Sequence, residues 1–430
     1  MNDGPFGQAR SRTIATKRLY EIQLGKMLQN DSVGLTDRLV PYFKAKHVHW
    51  EGVVSSDLPL MWASQSDLGK YDVRQGDLLV SEGGDVGRAA ILLKAPKQSI
   101  IQNALHRVRS STSDVRFLCY TLKVIHGSGW LDVLCNKATI AHLTGEKLGE
   151  LSIPAFPLPT QQAIASFLDR KTAAIDDLIE KKERLIALLA EKRAALINRA
   201  VTEGLDPNVP MKDSGVPWVG KIPTHWEVKR LRNISGGITV GVVVNPSSYV
   251  DDNGEVPFIY GSEVSPGKID VSTARRISHR SNKILAKSRL RAGDLVCVRV
   301  GDPGVTAVVP QELEGMNCGS VMIIRRAEAF DSHWLCHTMN SPAGRHNIWL
   351  VAYGAAQKQY NIGHAVDFVY PFPPRLEQEE IALHLSKAEE HFSNATTHIL
   401  AQVLRLQEYR QALITAAVTG QIDVPEEVPA

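Results

Sequence analysis

The chain is written twice. Arg74-Gln75-Gly76-Asp77-Leu78 returns as Arg291-Ala292-Gly293-Asp294-Leu295, an offset of 217 between the glycines (293 − 76 = 217). Phe117-Leu118-Cys119 returns as Trp334-Leu335-Cys336, Ala195-Leu196-Ile197 as Ala412-Leu413-Ile414, and Ala200-Val201-Thr202 as Ala417-Val418-Thr419, all at the same spacing. A period this long excludes a short-repeat solenoid. It predicts two copies of a complete domain, related by an approximate two-fold axis. Two joined heads of this kind suit a target with two-fold character, such as duplex DNA.

A length of 430 residues provides for two or three domains with full cores. No apolar run approaches the ~18 residues of a membrane span. The polar stretch from Met1 to Thr16 lacks the apolar segment of a signal peptide. The five cysteines form no CxxC pair, and Cys119 and Cys336 occupy matching apolar positions, which reads as packing. These features predict reduced thiols, a cytoplasmic location and no membrane association.

Each copy reads as a head followed by a long helix. The first head, from about Thr16 to Ile153, is rich in short β-type runs with glycine turns, such as Leu78-Leu79-Val80 before Gly83-Gly84. The second runs from about Trp226 to Tyr370, with Leu295-Val296-Cys297-Val298 before Gly301. Proline-marked junctions follow, at Pro154, Pro157 and Pro159 and again at Pro371, Pro373 and Pro374. Proline fits a helix start and resists a helix interior.

Beyond each junction the period becomes helical. Leu168, Ile175, Leu178, Leu185, Leu189 and Leu196 lie on a 3-4 heptad ladder that also takes in Lys171, Lys182 and Lys192. At the same repeat positions stand Leu385, Ala388, Phe392, Ala395, Ile399, Gln402, Leu406, Tyr409 and Leu413. A shared register predicts two helices packed on each other, and a two-fold axis makes them antiparallel. The other reading is two amphipathic helices that each cover their own head. The expected fold is α+β: two repeated mixed α/β heads, each followed by a long helix, with the helices forming an antiparallel coiled coil of pseudo-two-fold symmetry. About 35 helical residues span ~50 Å, enough to hold two heads about one ~34–36 Å duplex turn apart.

Few residues look chemical. Gly261 to Ile269 resembles a phosphate loop but has five residues between its glycines and Ile269 where Ser or Thr belongs. Asn245-Pro246-Ser247-Ser248-Tyr249 has the wrong spacing for an amino-methyltransferase motif and reads as a surface turn. His333 and His337 have a zinc-compatible spacing without an adjacent Glu or a third ligand, so a packed helix is favoured and no metal is expected. The turn Gly83-Gly84-Asp85-Val86-Gly87-Arg88 could present Arg88 to a phosphate or only reverse the chain. With no carboxylate pair or nucleophile–base set in evidence, the chain reads as a binding protein.

The nucleic-acid signal is local. Lys268, Arg275, Arg276, Arg280, Lys283, Lys287, Arg289 and Arg291 face the single acid Asp270, a local balance of +7 in a chain whose total is +3. His279, Ser281 and Asn282 within this run can hydrogen-bond to base edges. The same run also reads as a solvated basic face. In the first head, Lys44, Lys46, His47, His49 and Trp50 form a smaller basic–aromatic cluster. Gln357-Lys358-Gln359-Tyr360 is another candidate reader, since glutamine pairs bidentately with adenine.

Asp213-Ser214-Gly215-Val216-Pro217-Trp218, continuing through Lys221-Ile222-Pro223 to Trp226-Glu227-Val228, resembles the lead-in to a target recognition domain in specificity subunits of type I restriction–modification systems. Ile153-Pro154, Pro157 to Gln162 and Ile164 to Leu168 resemble that family's "IPLPPLxEQxxIxxFL" entry to its conserved helix, and Pro371 to Leu385 is a second match. Thr139-Ile140-Ala141-His142-Leu143-Thr144 also fits. The resemblance covers nearly the whole chain. One departure is that the first head lacks the DSGVPW-type lead-in and begins near Lys17-Arg18-Leu19, which matches Lys229-Arg230-Leu231.

The resemblance implies target recognition domains at 1–155 and 226–372, spacer helices at 156–206 and 373–423, a linker at 207–225 and a tail at 424–430. Each head would read one half of a split site in double-stranded DNA. The helices would fix the gap and dock two modification methyltransferase subunits, joined by two restriction/translocase subunits in a cutting system. S-adenosylmethionine, ATP and Mg are expected on those partners and no cofactor on this chain, which would be non-catalytic. The alternatives are a specificity subunit of a methylation-only system and a coiled-coil scaffold with two protein-binding heads.

Overall fold

The computed structural model describes residue 6 and residues 12–135, 142–353 and 360–424. The chain divides into two compact units, residues 1–182 with 401–430 and residues 183–400. Each unit is a head together with the near end of one long helix and the far end of the other.

The first unit holds seven strands that build two sheets: β1 (Glu21–Leu24), β2 (Arg38–Phe43), β3 (Leu60–Ala63), β4 (Leu78–Ser81), β5 (Ala89–Ile91), β6 (Ile100–Ile101) and β7 (Leu105–Arg109). One sheet is antiparallel in the order β1-β7-β4-β5. The other has the order β3-β2-β6, with β2 antiparallel to β3 and parallel to β6. Helix α1 (Val115–Gly127) covers the larger sheet, and α2 (Leu158–Glu203) leaves the head.

The period-2 geometry of a strand explains the uninterrupted apolar runs. Leu78 and Val80 point into a core with Phe117, Leu118 and Leu122 of α1, and with Leu168 and Ile414 of the long helices. Leu79 points the other way, into a second core with Phe43, Val48, Ile101 and Leu105. The central strand is therefore buried on both faces.

The second unit repeats this arrangement with β8 (Ile238–Val240), β9 (Val256–Ile259), β10 (Arg276–Ile277), β11 (Leu295–Cys297), β12 (Thr306–Val308), β13 (Asn317–Cys318) and β14 (Met322–Ile324). The sheet orders are β8-β14-β11-β12 and β10-β9-β13, with the same parallel pairing between β9 and β13. Helix α3 (Ser332–Asn340) stands where α1 does, and α4 (Arg375–Val418) is the second long helix. Strand pairing adds a detail that sequence identity misses. Pro41 opposes Leu60 as Pro257 opposes Arg276, so the offset at these two strands of the smaller sheet is 216 (257 − 41 = 216), while its third strand keeps 217 (317 − 100 = 217). The extra residue lies before β11.

The repeated Arg-x-Gly-Asp motif is structural. Buried Asp77 accepts from the Arg74 N–H (2.7 Å) and the Arg109 guanidinium (2.6 and 2.7 Å). Buried Asp294 accepts from the Arg291 N–H (3.0 Å), the Arg326 N–H (3.1 Å) and Arg325 (2.6 Å). Each carboxylate closes its own turn and anchors an arginine of the neighbouring strand.

The junctions repeat as well. Asp114 and Asp331 cap α1 and α3 by accepting from the N–H groups of Arg116 and Trp334. Their own N–H groups donate to the side-chain oxygens of Gln161 (3.0 Å) and Gln378 (2.8 Å), both buried at the starts of the long helices. Those amides also donate to the carbonyls of Phe156 and Pro373. One glutamine per copy thus fixes head to helix. Nothing in the sequence alone singles out this role, although both residues fall in the junction motif at the common offset.

The five cysteines are buried thiols, and Cys119 and Cys336 face strand carbonyls of Ala89 (3.7 Å) and Thr306 (3.3 Å). Among the described residues, no helix is long and apolar enough to cross a membrane.

Candidate nucleic-acid interface

The basic run of the second unit forms one rim of its smaller sheet. Arg275 and Arg276 lead into β10, and Arg280 and Lys283 lie on the short helix His279–Ile284, whose start Ser278 caps by accepting from the Ser281 N–H. All four side chains are exposed. Arg276 donates to the Glu255 carbonyl at 2.8 Å. The Arg275 guanidinium lies 5.3 Å above the Tyr260 ring, and Tyr260 meets Phe258 edge-on at 5.1 Å. Sequence alone does not point to Tyr260, because it is fifteen positions from Arg275 and only strand pairing brings them together. Asn282, expected as a base contact, is committed inward: it donates to the Gly315 carbonyl (3.1 Å) and its side-chain oxygen accepts from Asn317 (2.6 Å).

In the first unit the candidates come together around the turn that follows β2. Lys46 and His49 are exposed and Lys44 is half-buried. The Arg88 guanidinium donates to the Ala45 carbonyl at 3.1 Å and lies 3.6 Å from Asp85. Arg88 therefore ties the glycine turn to the lysine turn, which favours chain architecture over phosphate contact as its role. Trp50 packs edge-on against His126 at 5.0 Å, and His126 is paired with Asp85 at 2.9 Å.

His47 is corrected from reader to cap. Its ring is buried, and Nδ1 accepts the Lys44 N–H at 3.1 Å. Burial, with Lys46 and Lys44 nearby, holds its pKa below the ordinary imidazole value. At the matching place Glu263 accepts the Tyr260 N–H at 2.7 Å, so an imidazole and a carboxylate do one job in the two copies. Gln357, Lys358 and Gln359 lie outside the described residues, as do Thr139, Ile140 and Ala141.

The pairing of the long helices is visible inside each unit. In the first, Asp176 meets Arg410 (2.8 Å) and Lys182 meets Gln402 (2.6 Å). Partner numbers fall as helix numbers rise, so the segments are antiparallel. In the second, Arg193 meets Glu389 (2.5 Å), and Leu385 shares a core with Leu196, Ile197 and Ala200. Leu168, Ile175 and Leu385 are buried, while Leu189, Leu196, Phe392, Ile399, Leu406 and Leu413 are half-buried.

Six ladder residues lie off the seam: Leu178 is 41% exposed, Leu185 44% and Tyr409 58%, and Lys171, Lys192 and Gln402 are exposed as well. The interleaved positions are instead Thr172, Ile179, Ile186, Arg193 and Ala200, matched by Glu389, Thr396, Val403, Arg410 and Ala417, all buried or half-buried. Thr172, Ile179, Ile186 and Arg193 stand one residue beyond Lys171, Leu178, Leu185 and Lys192, as Glu389, Thr396, Val403 and Arg410 stand one beyond Ala388, Ala395, Gln402 and Tyr409; Ala200 and Ala417 lie past the end of the expected ladder. Leu178 adjoins Ile179 and Leu185 adjoins Ile186, so apolar periodicity accommodates either a three- or a four-residue step. The packed helices take the four-residue step.

His337 faces Glu389 at 3.8 Å, and burial lowers its pKa despite that neighbour. Among the described residues, no group of three or more His, Cys, Asp or Glu side chains is placed to hold a metal.

Comparison with known proteins is consistent along the chain. Residues 61–188 match the family model for the type I restriction modification DNA specificity domain. The chain is 23% identical over 365 residues to the type I restriction enzyme EcoBI specificity subunit of Escherichia coli, covering 82% of this chain and 75% of that one. The fold is similar to that of the HsdS subunit from Thermoanaerobacter tengcongensis, with a TM-score of 0.57, 14% identity, and coverage of 96% of this chain and 97% of the other. It is also similar to a chain solved in work on complex assembly and conformational transition of the type I R-M system, with a TM-score of 0.67, 15% identity, and coverage of 96% and 98%.

Proposed function

From a chain of the type I restriction–modification specificity-subunit family, we propose a two-headed reader of split DNA sites. Each head contacts one half-site of a duplex, and the long helices set the gap. Arg275, Arg276, Arg280 and Lys283 supply phosphate and base contacts in the second head; Lys44, Lys46 and His49 do so in the first. The observation that carries this reading is the recurrence of both sheets and both junctions on two helices, each of which runs from one unit into the other.

Two methyltransferase subunits dock on this frame and bring S-adenosylmethionine. Restriction subunits, in a cutting system, bring ATP and Mg. The chain itself contributes the address and works in the cytoplasm. Adenine is the methylated base, and it must leave the stack to be reached. The test is methylation-sensitive sequencing of DNA from cells that express the chain with its modification subunit. A split motif is expected. A continuous motif, or no new methylation, would overturn the reading.

A further inference from the structure

We propose that Arg275 is a base-reading residue of the second head, held ready for guanine by Tyr260, while Arg280 and Lys283 serve phosphates. This rests on the DNA-reading function above and assigns work within it. Three contacts fix Arg275. Its carbonyl accepts the Phe258 N–H at 2.8 Å, which pins its backbone to the edge of β9. Its guanidinium lies over the Tyr260 ring at 5.3 Å. The ring is in turn braced edge-on by Phe258. Gly319 leaves room for this aromatic pair, since a Cβ there would stand 2.8 Å from Tyr260 and 3.1 Å from Phe258. The Tyr260 backbone is locked by Glu263.

The guanidinium has no acidic partner among the described residues. Four other arginines of this head do pair with acids, Arg230 and Arg232 with Asp367, Arg325 with Asp294 and Arg345 with Asp302. An arginine stacked on an aromatic face keeps its planar fork of donors free at the edge. Guanine offers O6 and N7 as a matching pair of acceptors in the major groove. Because the side chain is already ordered, less rotamer freedom is lost on binding. Arg276 has one donor spent on the Glu255 carbonyl. Arg280 and Lys283 stand exposed on a short helix, with no aromatic ring stacked beneath them among the described residues. That suits mobile charge against phosphate.

The first head cannot use this device. Pro59 stands where Arg275 does, since its carbonyl accepts the Tyr42 N–H at 3.0 Å as Arg275 accepts Phe258, and Lys44 stands where Tyr260 does. Guanine readout by this route therefore belongs to one half-site only.

The test uses the full chain, alone and assembled with its modification subunits, against a randomised duplex library. Arg275→Lys keeps the charge and loses the fork. Preference for guanine at one position of one half-site should fall roughly 5- to 150-fold. The log–log salt slope and the other half-site should not move. Tyr260→Leu should weaken the same preference with the charge intact. Arg280→Gln should lower the salt slope by about one and leave base preference alone. Arg275→Lys selections that match those of the parent at every position, or that lose both half-sites equally, would overturn the assignment while leaving the DNA reading intact. A parent chain without salt-dependent duplex binding in either form would overturn both.

Discussion

The two heads share their interior and differ in the face of the smaller sheet. In the first, Leu39 and Leu60 stand 51% and 58% exposed on that face. In the second, strand register puts Glu255 and Arg276 in their places, with Arg275, Arg280 and Lys283 beside them. The shared interior includes the buried Asp77 and Asp294, the paired glutamines and the same strand orders. The lesson is that duplication preserved what holds each head together and released what each head presents. That division fits the proposed reading of two unlike half-sites. An apolar face suits thymine methyl groups, and a basic one suits phosphate and guanine.

The largest effect should come from the shared interior and be equal in both heads. Gly87 and Gly304 hold φ of +80° and +95°. A Cβ at Gly87 would stand 2.3 Å from Leu131, and one at Gly304 would stand 2.4 Å from Ile348. Gly87→Val and Gly304→Val combine left-handed strain of ~1–2 kcal/mol with overpacking of ~1–3 kcal/mol. Each should unfold its own head, seen as lost hydrogen-exchange protection in that head alone. A tolerant head would show that the two interiors are not equivalent.

The next effect should separate the faces. Changing Arg275, Arg276 and Arg280 together to Gln should lower the salt slope of DNA binding by about one for each phosphate these side chains neutralise. Leu39→Ser with Leu60→Ser should leave the slope unchanged while altering affinity for particular sequences. Equal slope changes from both would erase the distinction between the faces.

Much of this was legible in the sequence because repetition and periodicity are local signals. Duplication, the short β-type run Leu78-Leu79-Val80 and the proline junctions follow from them; that this strand is buried on both faces does not. The shift of the offset to 216 was not legible, because the smaller sheets share too little identity and only pairing reveals it. Nor was the role of His47, whose mate Glu263 has different chemistry. The Arg275–Tyr260 contact joins two strands, and no short-range pattern encodes it. The seam was legible to within one residue, for the reason that apolar residues flank both choices.

A smaller effect distinguishes the heads by pH. In the first, burial opposes ionisation of Asp72, but Arg109, Arg74 and Arg107 outweigh it and hold the carboxyl below the usual carboxylate range. A depressed carboxylate stabilises the fold above its unfolded pKa of about 4 and loses that contribution as pH falls through its folded value. In the second head Arg289 stands at that place, bridging Asn317 as Asp72 bridges Ile100. Lowering the pH from about 5 to about 3 should therefore reduce the unfolding midpoint of the first head relative to the second. Asp72→Asn should remove the difference in slope. Parallel acid curves for the two heads would rule out this asymmetry.

The smallest effect tests whether the copies share one seam. Leu185 has Gln402 as its repeat mate, and Ile186 has Val403, which is 7% exposed. If the exposed position is off the seam, leucine and glutamine are interchangeable there, because neither is called on to fill a gap between helices. Leu185→Gln makes the first copy like the second and should change stability by no more than about 0.5 kcal/mol. Ile186 lines a groove with Leu189, Arg193, Phe392 and Thr396, so it packs where the helices meet. Ile186→Gln should cost about 1–2 kcal/mol through reduced burial and a polar group placed in apolar surroundings. Thermal unfolding of the full chain compares the two changes directly. Equal losses would return Leu185 to the seam and restore the three-residue step. A loss confined to Ile186→Gln would mean that both copies kept the same four-residue step while the solvent-facing neighbour drifted from leucine to glutamine, as the faces of the heads did.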